Sequence, residues 1–243
     1  MSTRELTALA RQDGETEVLC LHGEVRVLAG RLDLEPEAVA ALAAWLSPAE
    51  LKRAERCHFD RDRRRFIVGR ARLRRLLGER LGVEPEGVDI AVGEHGKPEL
   101  GGAQARSGWQ FNLSRCGDLA AFALARGWRV GVDIEALREV SGAERIVEHF
   151  FSHHERMAYR TLDAADKPFG FLNCWTRKEA FVKALGTGLS YPYGRFDVSF
   201  APGEPARLIR VDDLAGEASG WRLDAFVPQA GFIGALASRS QAP

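Results

Sequence analysis

The sequence predicts an α/β protein, on three observations. Residues 62–81 carry apolar side chains at helical spacing, while 109–125 and 128–135 alternate with a period of two. Helix-then-strand units occur in both halves of the 243 residues, which hints at a duplication although the letters show no repeat.

In chain order, a helix is expected near 36–46, ahead of Ser47-Pro48, where a basic stretch begins. Phe66, Gly69, Leu73, Leu76 and Leu77 make the apolar stripe of the long helix at 62–81. From Lys52 to Arg75 there are eleven Lys and Arg against three acids. Most are expected on a solvated helix face, with a subset left to grip a nucleotide or an acidic partner helix. A strand near 88–92 leads to a hairpin at 109–125 whose tip holds Ser114, Arg115, Gly117 and Asp118. Strand 128–135 follows. Helices are expected near 141–150 and 152–162, the second opened by Ser152-His153-His154-Glu155, which reads as a capping box. That cap separates His149 from His153 and makes the pair structural rather than a metal chelate. Helix 172–185 has Phe171, Trp175, Phe181, Val182 and Leu185 as apolar surface and stops at Gly186 and Gly188. Strands near 195–200, 207–211 and 221–226, then an apolar run at 232–237, complete the pattern.

Bulk composition narrows the partners. Lys+Arg and Asp+Glu both number 34, so no general attraction for nucleic acid or an anionic membrane is expected. Met1 to Cys20 has no signal-like apolar run, and no stretch approaches the ~20 apolar residues of a membrane span. Cys20, Cys57, Cys116 and Cys174 form no Cys-x-x-Cys pair and suit reduced thiols in a cytoplasm.

The chemistry sits in three segments. Val130, Val132 and Ile134 alternate with Gly131, Asp133 and Glu135. The two carboxylates therefore share a strand face, their Cα atoms roughly 6.6 Å apart at ~3.3 Å per residue. Neighbouring anions repel, and a bound cation reverses that cost. Oxygen-only ligands favour magnesium or calcium over zinc, and magnesium is the usual partner of substrate phosphates. On the helix, Trp175, Glu179 and Lys183 recur every four residues and share a face, with Lys178 beside the acid. The hairpin tip adds a hydroxyl, a guanidinium and backbone amides suited to a phosphate. Each segment alone also fits a plainer reading: solvated strand acids, a Glu179–Lys183 surface pair, an ordinary turn. Combined, three acids with lysines nearby point to a hard divalent cation holding a polyphosphate, and so to phosphoryl transfer.

These segments also resemble a known family. Phe111-Asn112-Leu113-Ser114, Gly131-Val132-Asp133-Ile134-Glu135, Phe150-Phe151-Ser152-His153-His154-Glu155 and the run from Trp175 to Leu189 stand in its order and spacing. So do Gly96-Lys97-Pro98 and the stretch from Ser47-Pro48 to Gly69. From about Ser47 to Val198 the chain resembles the larger, surfactin-synthetase-activating class of 4′-phosphopantetheinyl transferases.

The resemblance implies two similar α/β subdomains in a pseudo-twofold monomer, residues 1–125 and 126–243, with the active site at their interface. It implies transfer of the 4′-phosphopantetheine arm of coenzyme A to a serine of an apo acyl or peptidyl carrier protein, releasing 3′,5′-adenosine bisphosphate. By likeness, Asp133, Glu135 and Glu179 hold Mg2+. Lys178 and Lys183 lie close to the phosphates, Lys183 being the stronger candidate for contact with the reacting group. Ser114, Arg115, Lys97, Arg65 and Arg53 fall where the family grips the nucleotide end and its 3′-phosphate. Glu155 matches an acidic position near the reaction centre, and the carrier hydroxyl gives its proton to Glu155, Glu179 or an intervening water. One departure stands out: the family's Ser-His-Ser is Ser114-Arg115-Cys116 here, replacing a phosphate-holding histidine by a permanently charged arginine. Two rival readings share the residues: a magnesium-dependent nuclease or nucleotidyl-transfer enzyme, and a carrier-binding module without chemistry.

Overall fold

The computed structural model describes residues 15–21, 24–212 and 220–241. Strands β1 (Thr16–Leu21) and β2 (Val25–Arg31) open it, followed by helices α1 (Pro36–Ala43), α2 (Pro48–Ala54) and α3 (Asp60–Leu81). A short ribbon, β3 (Ile90–Val92) with β4 (Pro98–Leu100), precedes the hairpin of β5 (Trp109–Cys116) and β6 (Leu119–Arg126). After Gly127 come β7 (Trp128–Ala136), α4 (Ala143–Phe150), α5 (His153–Arg160) and α6 (Lys167–Leu185). Strands β8 (Phe196–Val198), β9 (Leu208–Val211), β10 (Trp221–Phe226) and β11 (Phe232–Ser240) end the described chain.

Two antiparallel sheets form the centre, one ordered β1-β2-β6-β5 and the other β10-β11-β7. The alternation in β6 explains how they stack. Ala120, Phe122 and Leu124 join the core beneath α3, which holds Phe66, Leu73 and Leu77. Leu119, Ala121, Ala123 and Ala125 point the other way and meet Val130, Val132, Ile134 and Leu236 of the second sheet. A strand buried on both faces reads as a continuous apolar run, which is what Leu119 to Ala125 shows. On the far side, Ala235 and Ala237 of β11 join the core of α6, with Phe171, Phe181 and Val182. The layers are therefore helix, sheet, sheet, helix.

The mixed α/β class expected from the sequence is the one observed, and most elements fall near their expected places. Helix α6 starts earlier than its apolar stripe suggested, with Pro168 in its first turn. The capping box at Ser152 is present: Ser152 Oγ accepts from Glu155 N at 3.1 Å, and Glu155 Oε2 accepts from Ser152 N at 2.8 Å. An equivalent box, Ser47 with Glu50, opens α2, a helix the basic composition of this stretch had masked. Strands β1 and β2 were also unforeseen, although buried Val25, Val27 and Ala29 alternate cleanly along β2.

The basic helix α3 corrects an expectation. Arg70, Arg72, Arg74 and Arg75 are buried rather than on a solvated face. Arg74 donates to Glu50 Oε2 at 2.8 Å and to the carbonyls of Pro85 and Val88. Arg72 and Arg75 pair with Glu15. Much of the positive run thus ties α3 to its surroundings, as buried charges require. No helix among the described residues is long and apolar enough to cross a membrane.

Candidate active site

Gly131 sets the geometry of the site. A Cβ there would meet Ala180 O at 2.2 Å and Ala184 N at 2.3 Å, so α6 lies directly on the backbone of β7. Two residues along the same strand face, Asp133 then reaches the Lys183 side chain from that same turn of α6. Lys183 Nζ donates to Asp133 Oδ1 at 2.6 Å, so Lys183 pairs across to the strand, not with Glu179 on its own helix. Glu179 accepts instead from the phenol of Tyr193, at 2.6 Å on Oε1.

The outer edge of β7 is closed by side chains of β5. Asn112 Oδ1 accepts from Val132 N at 2.9 Å, Ser114 Oγ from Ile134 N at 3.3 Å, and Cys116 Sγ from Ala136 N at 3.2 Å. The period of two on both strands brings alternate side chains of one to alternate amides of the other, and an exposed strand edge is capped. Asp133 and Glu135 lie between the clamped amides. Ser114 Oγ further donates to Asp133 Oδ1 at 2.9 Å, and Cys116 Sγ to Glu135 Oε2 at 3.4 Å.

Asp133 is buried, and burial raises its carboxyl to about 6, against the opposing pull of Lys183. Its second oxygen, Oδ2, has no hydrogen-bond partner. A buried, orphaned carboxylate oxygen beside two further acids is the environment a hard cation relieves, and three carboxylates supply the all-oxygen donor set that magnesium takes. Asp133, Glu135 and Glu179 line one cavity of about 710 Å³ with Ser114, Arg115, Lys183, Trp175 and Arg65. Each acid is held by its own donor, and among the described residues no three His, Cys, Asp or Glu side chains are already drawn into a cluster.

The other expected site residues divide. Arg65 lines the cavity but is tied to Asp33 by two bonds of 2.6 Å, which hold the Asp33 carboxyl below its usual range. Ser114 lines it too, yet its single O–H is directed to Asp133, leaving no donor for a phosphate. Arg115 borders both this cavity and a neighbour of about 180 Å³ lined by Arg53, Arg70, Phe66 and Pro98. Three guanidinium carbons, of Arg53, Arg70 and Arg115, lie 5.9, 5.8 and 5.3 Å from the Phe66 ring centroid. Arg70, which sequence reasoning did not single out, pairs with Glu50 at 3.4 Å while its buried Nη1 lacks a hydrogen-bond partner.

Three expected residues lie elsewhere. Lys97 donates to Val130 O at 3.3 Å and borders a separate cavity of about 270 Å³. Burial lowers its ammonium to about 8, partly offset by Glu99. Lys178 and Glu155 form a salt bridge of 2.8 Å inside the second helical layer, neither reaching the main cavity. Lys178 Nζ also donates to Tyr193 O and Phe196 O, each at 2.7 Å. Both Glu155 oxygens are engaged, Oε1 by Val198 N at 2.9 Å and Oε2 by Ser152 N and Lys178. Expected beside the phosphates and the reaction centre, the two are found as a buried pair that does not line the main cavity. Tyr193, in the loop after α6, went unnoticed in the sequence because only tertiary packing brings it back over Glu179.

Three acids, a lysine and two arginines lining one cavity make a site of the kind that suits a phosphate-bearing substrate. Comparison with known proteins makes this specific. Residues 129–232 match the 4′-phosphopantetheinyl transferase superfamily, and residues 35–126 match the family described as 4′-phosphopantetheinyl transferase, N-terminal. The 4′-phosphopantetheinyl transferase HetI of Nostoc sp. is 38% identical over 89% of this chain and 88% of its own length. A putative 4′-phosphopantetheinyl transferase of Synechocystis sp. is 31% identical over 74% of this chain and 71% of its own. One from Bacillus subtilis is 28% identical over 65% and 67%. The chain belongs to the 4′-phosphopantetheinyl transferase superfamily, in its surfactin-synthetase-activating class. It is a transferase that moves phosphopantetheine from coenzyme A to a carrier protein.

Proposed function

We propose that the main cavity is the reaction centre, that it works with Mg2+ held by Asp133, Glu135 and Glu179, and that the arginine-lined neighbour receives the nucleotide end of coenzyme A. The single observation that carries this reading is the orphaned, buried Oδ2 of Asp133 in a cavity shared with Glu135, Glu179 and Lys183. When bound, the cation neutralises charge on the pyrophosphate and on the oxygen that leaves.

The side chains of the chain do the rest. Lys183 has three N–H donors, and Asp133 and Ser114 use two of them, so the third serves the phosphate. Both Glu155 oxygens are fully engaged, which supports passage of the carrier serine's proton to water in the cavity rather than to Glu155, with Glu179 kept for the cation. Arg115, placed between the two cavities, takes over the phosphate contact of the family histidine, with Arg53 beyond it. Lys97 and Lys178 act through structure. The carrier is an apo acyl or peptidyl carrier protein, and the enzyme works as a cytoplasmic monomer of two subdomains, 1–125 and 126–243, without nucleic acid or membrane.

Arg115→Ala tests the substrate side. Loss of one charge-assisted phosphate contact, about 1.5–3 kcal/mol, raises the KM for coenzyme A roughly 10- to 100-fold with a smaller effect on kcat. An unchanged KM would remove Arg115 from the phosphate site.

A further inference from the structure

We propose that Tyr193 is a positioning residue of the cation site, its phenol holding the Glu179 carboxylate in the orientation in which Glu179 serves as a ligand. The inference rests on the assignment of Asp133, Glu135 and Glu179 as ligands above.

The hydroxyl is placed by packing, not by chance rotation. Tyr193 is buried, and its ring stacks on Trp175 at 6.2 Å and 21°, meets Phe150 edge-on at 5.7 Å and tilts against Phe196 at 6.1 Å. Its backbone carbonyl is tied to Lys178 Nζ at 2.7 Å. A phenol boxed in this way has one direction in which to donate, and Glu179 Oε1 lies there at 2.6 Å.

The three acids share this pattern. Asp133 is held through Oδ1 by Lys183 and Ser114, Glu135 through Oε2 by Cys116, and Glu179 through Oε1 by Tyr193. Each tether leaves the other oxygen of its carboxylate for the cation. Ligand carboxylates are commonly fixed by such outer partners, whose loss costs 10- to 100-fold in metal affinity. The identity of the donor also matters. Lys183 stands one helical turn from Glu179 but gives its charge to Asp133. A neutral phenol orients Glu179 without cancelling the charge that attracts the metal.

Tyr193→Phe removes one oxygen and keeps the ring. The protein saturated with coenzyme A is titrated with Mn2+, and free Mn2+ is followed by electron paramagnetic resonance, with Asp133→Asn in parallel. The expected result is about a tenfold or greater loss of Mn2+ affinity in Tyr193→Phe. Turnover should show the same split: more Mg2+ for half-maximal rate, with kcat largely recovered at saturating metal. If Asp133→Asn loses Mn2+ while Tyr193→Phe binds as the wild type does, the positioning role is overturned and the site stands. If both bind like the wild type, the ligand assignment itself is wrong.

Discussion

Replacing Asp133 with alanine should lower kcat by on the order of 10²–10³-fold, the usual effect of removing one preorganised electrostatic group, while the protein stays folded. The stability half of this expectation follows from the carboxyl's own ionisation. Burial raises it from 3.8 to about 6, so the unfolded chain releases this proton first as pH rises. Between roughly pH 4 and 6 the native state loses stability on that account, and at pH 7 it carries the full cost of a buried anion. Alanine removes that cost and leaves Lys183, whose side chain is 29% exposed, to water. Initial rates and thermal unfolding at pH 7, measured on the same preparation, separate the two effects. Wild-type turnover with normal magnesium dependence would exclude Asp133 from the metal site.

The opposite behaviour is expected at Lys178. Lys178→Met strands Glu155, 2% exposed and already shifted upward by burial against the pull of Lys178, without its cation. Breaking one side of a buried pair costs about 3–5 kcal/mol. For a chain of this length, each kcal/mol lowers Tm by roughly 2–4 °C. The coenzyme A KM of the folded fraction should stay at the wild-type value. A stable variant with a raised KM would return Lys178 to the phosphates.

These two residues also mark how far the sequence could be read. Asp133 and Glu135 follow from the alternation of one strand, and Glu179 with Lys183 from the spacing of one helix. Local periodicity was enough to place each pair on a face. It could not say that Gly131 lets α6 settle onto β7, the contact that joins the pairs. Lys178 was readable after all: its neighbours four residues either way, Cys174 and Val182, are both buried, so a lysine between them points into the core. Proximity to Glu179 in the letters concealed this, since adjacent helical residues face different ways. The arginines of α3 show the same limit. Their number suggested solvent, whereas their acids, Glu15 and Glu50, arrive from distant segments. Tyr193 and Arg70 carried no local signal, because their significance lies in what the fold brings to them.

The most direct test of the account is intact-mass analysis of apo carrier proteins incubated with this protein, coenzyme A and Mg2+, alongside an EDTA control and Asp133→Ala. The expected result is a gain of one phosphopantetheinyl group with the wild type and Mg2+, absent with EDTA and sharply reduced with Asp133→Ala. A gain of the same size and rate in all three reactions would contradict a metal-assisted centre built on Asp133.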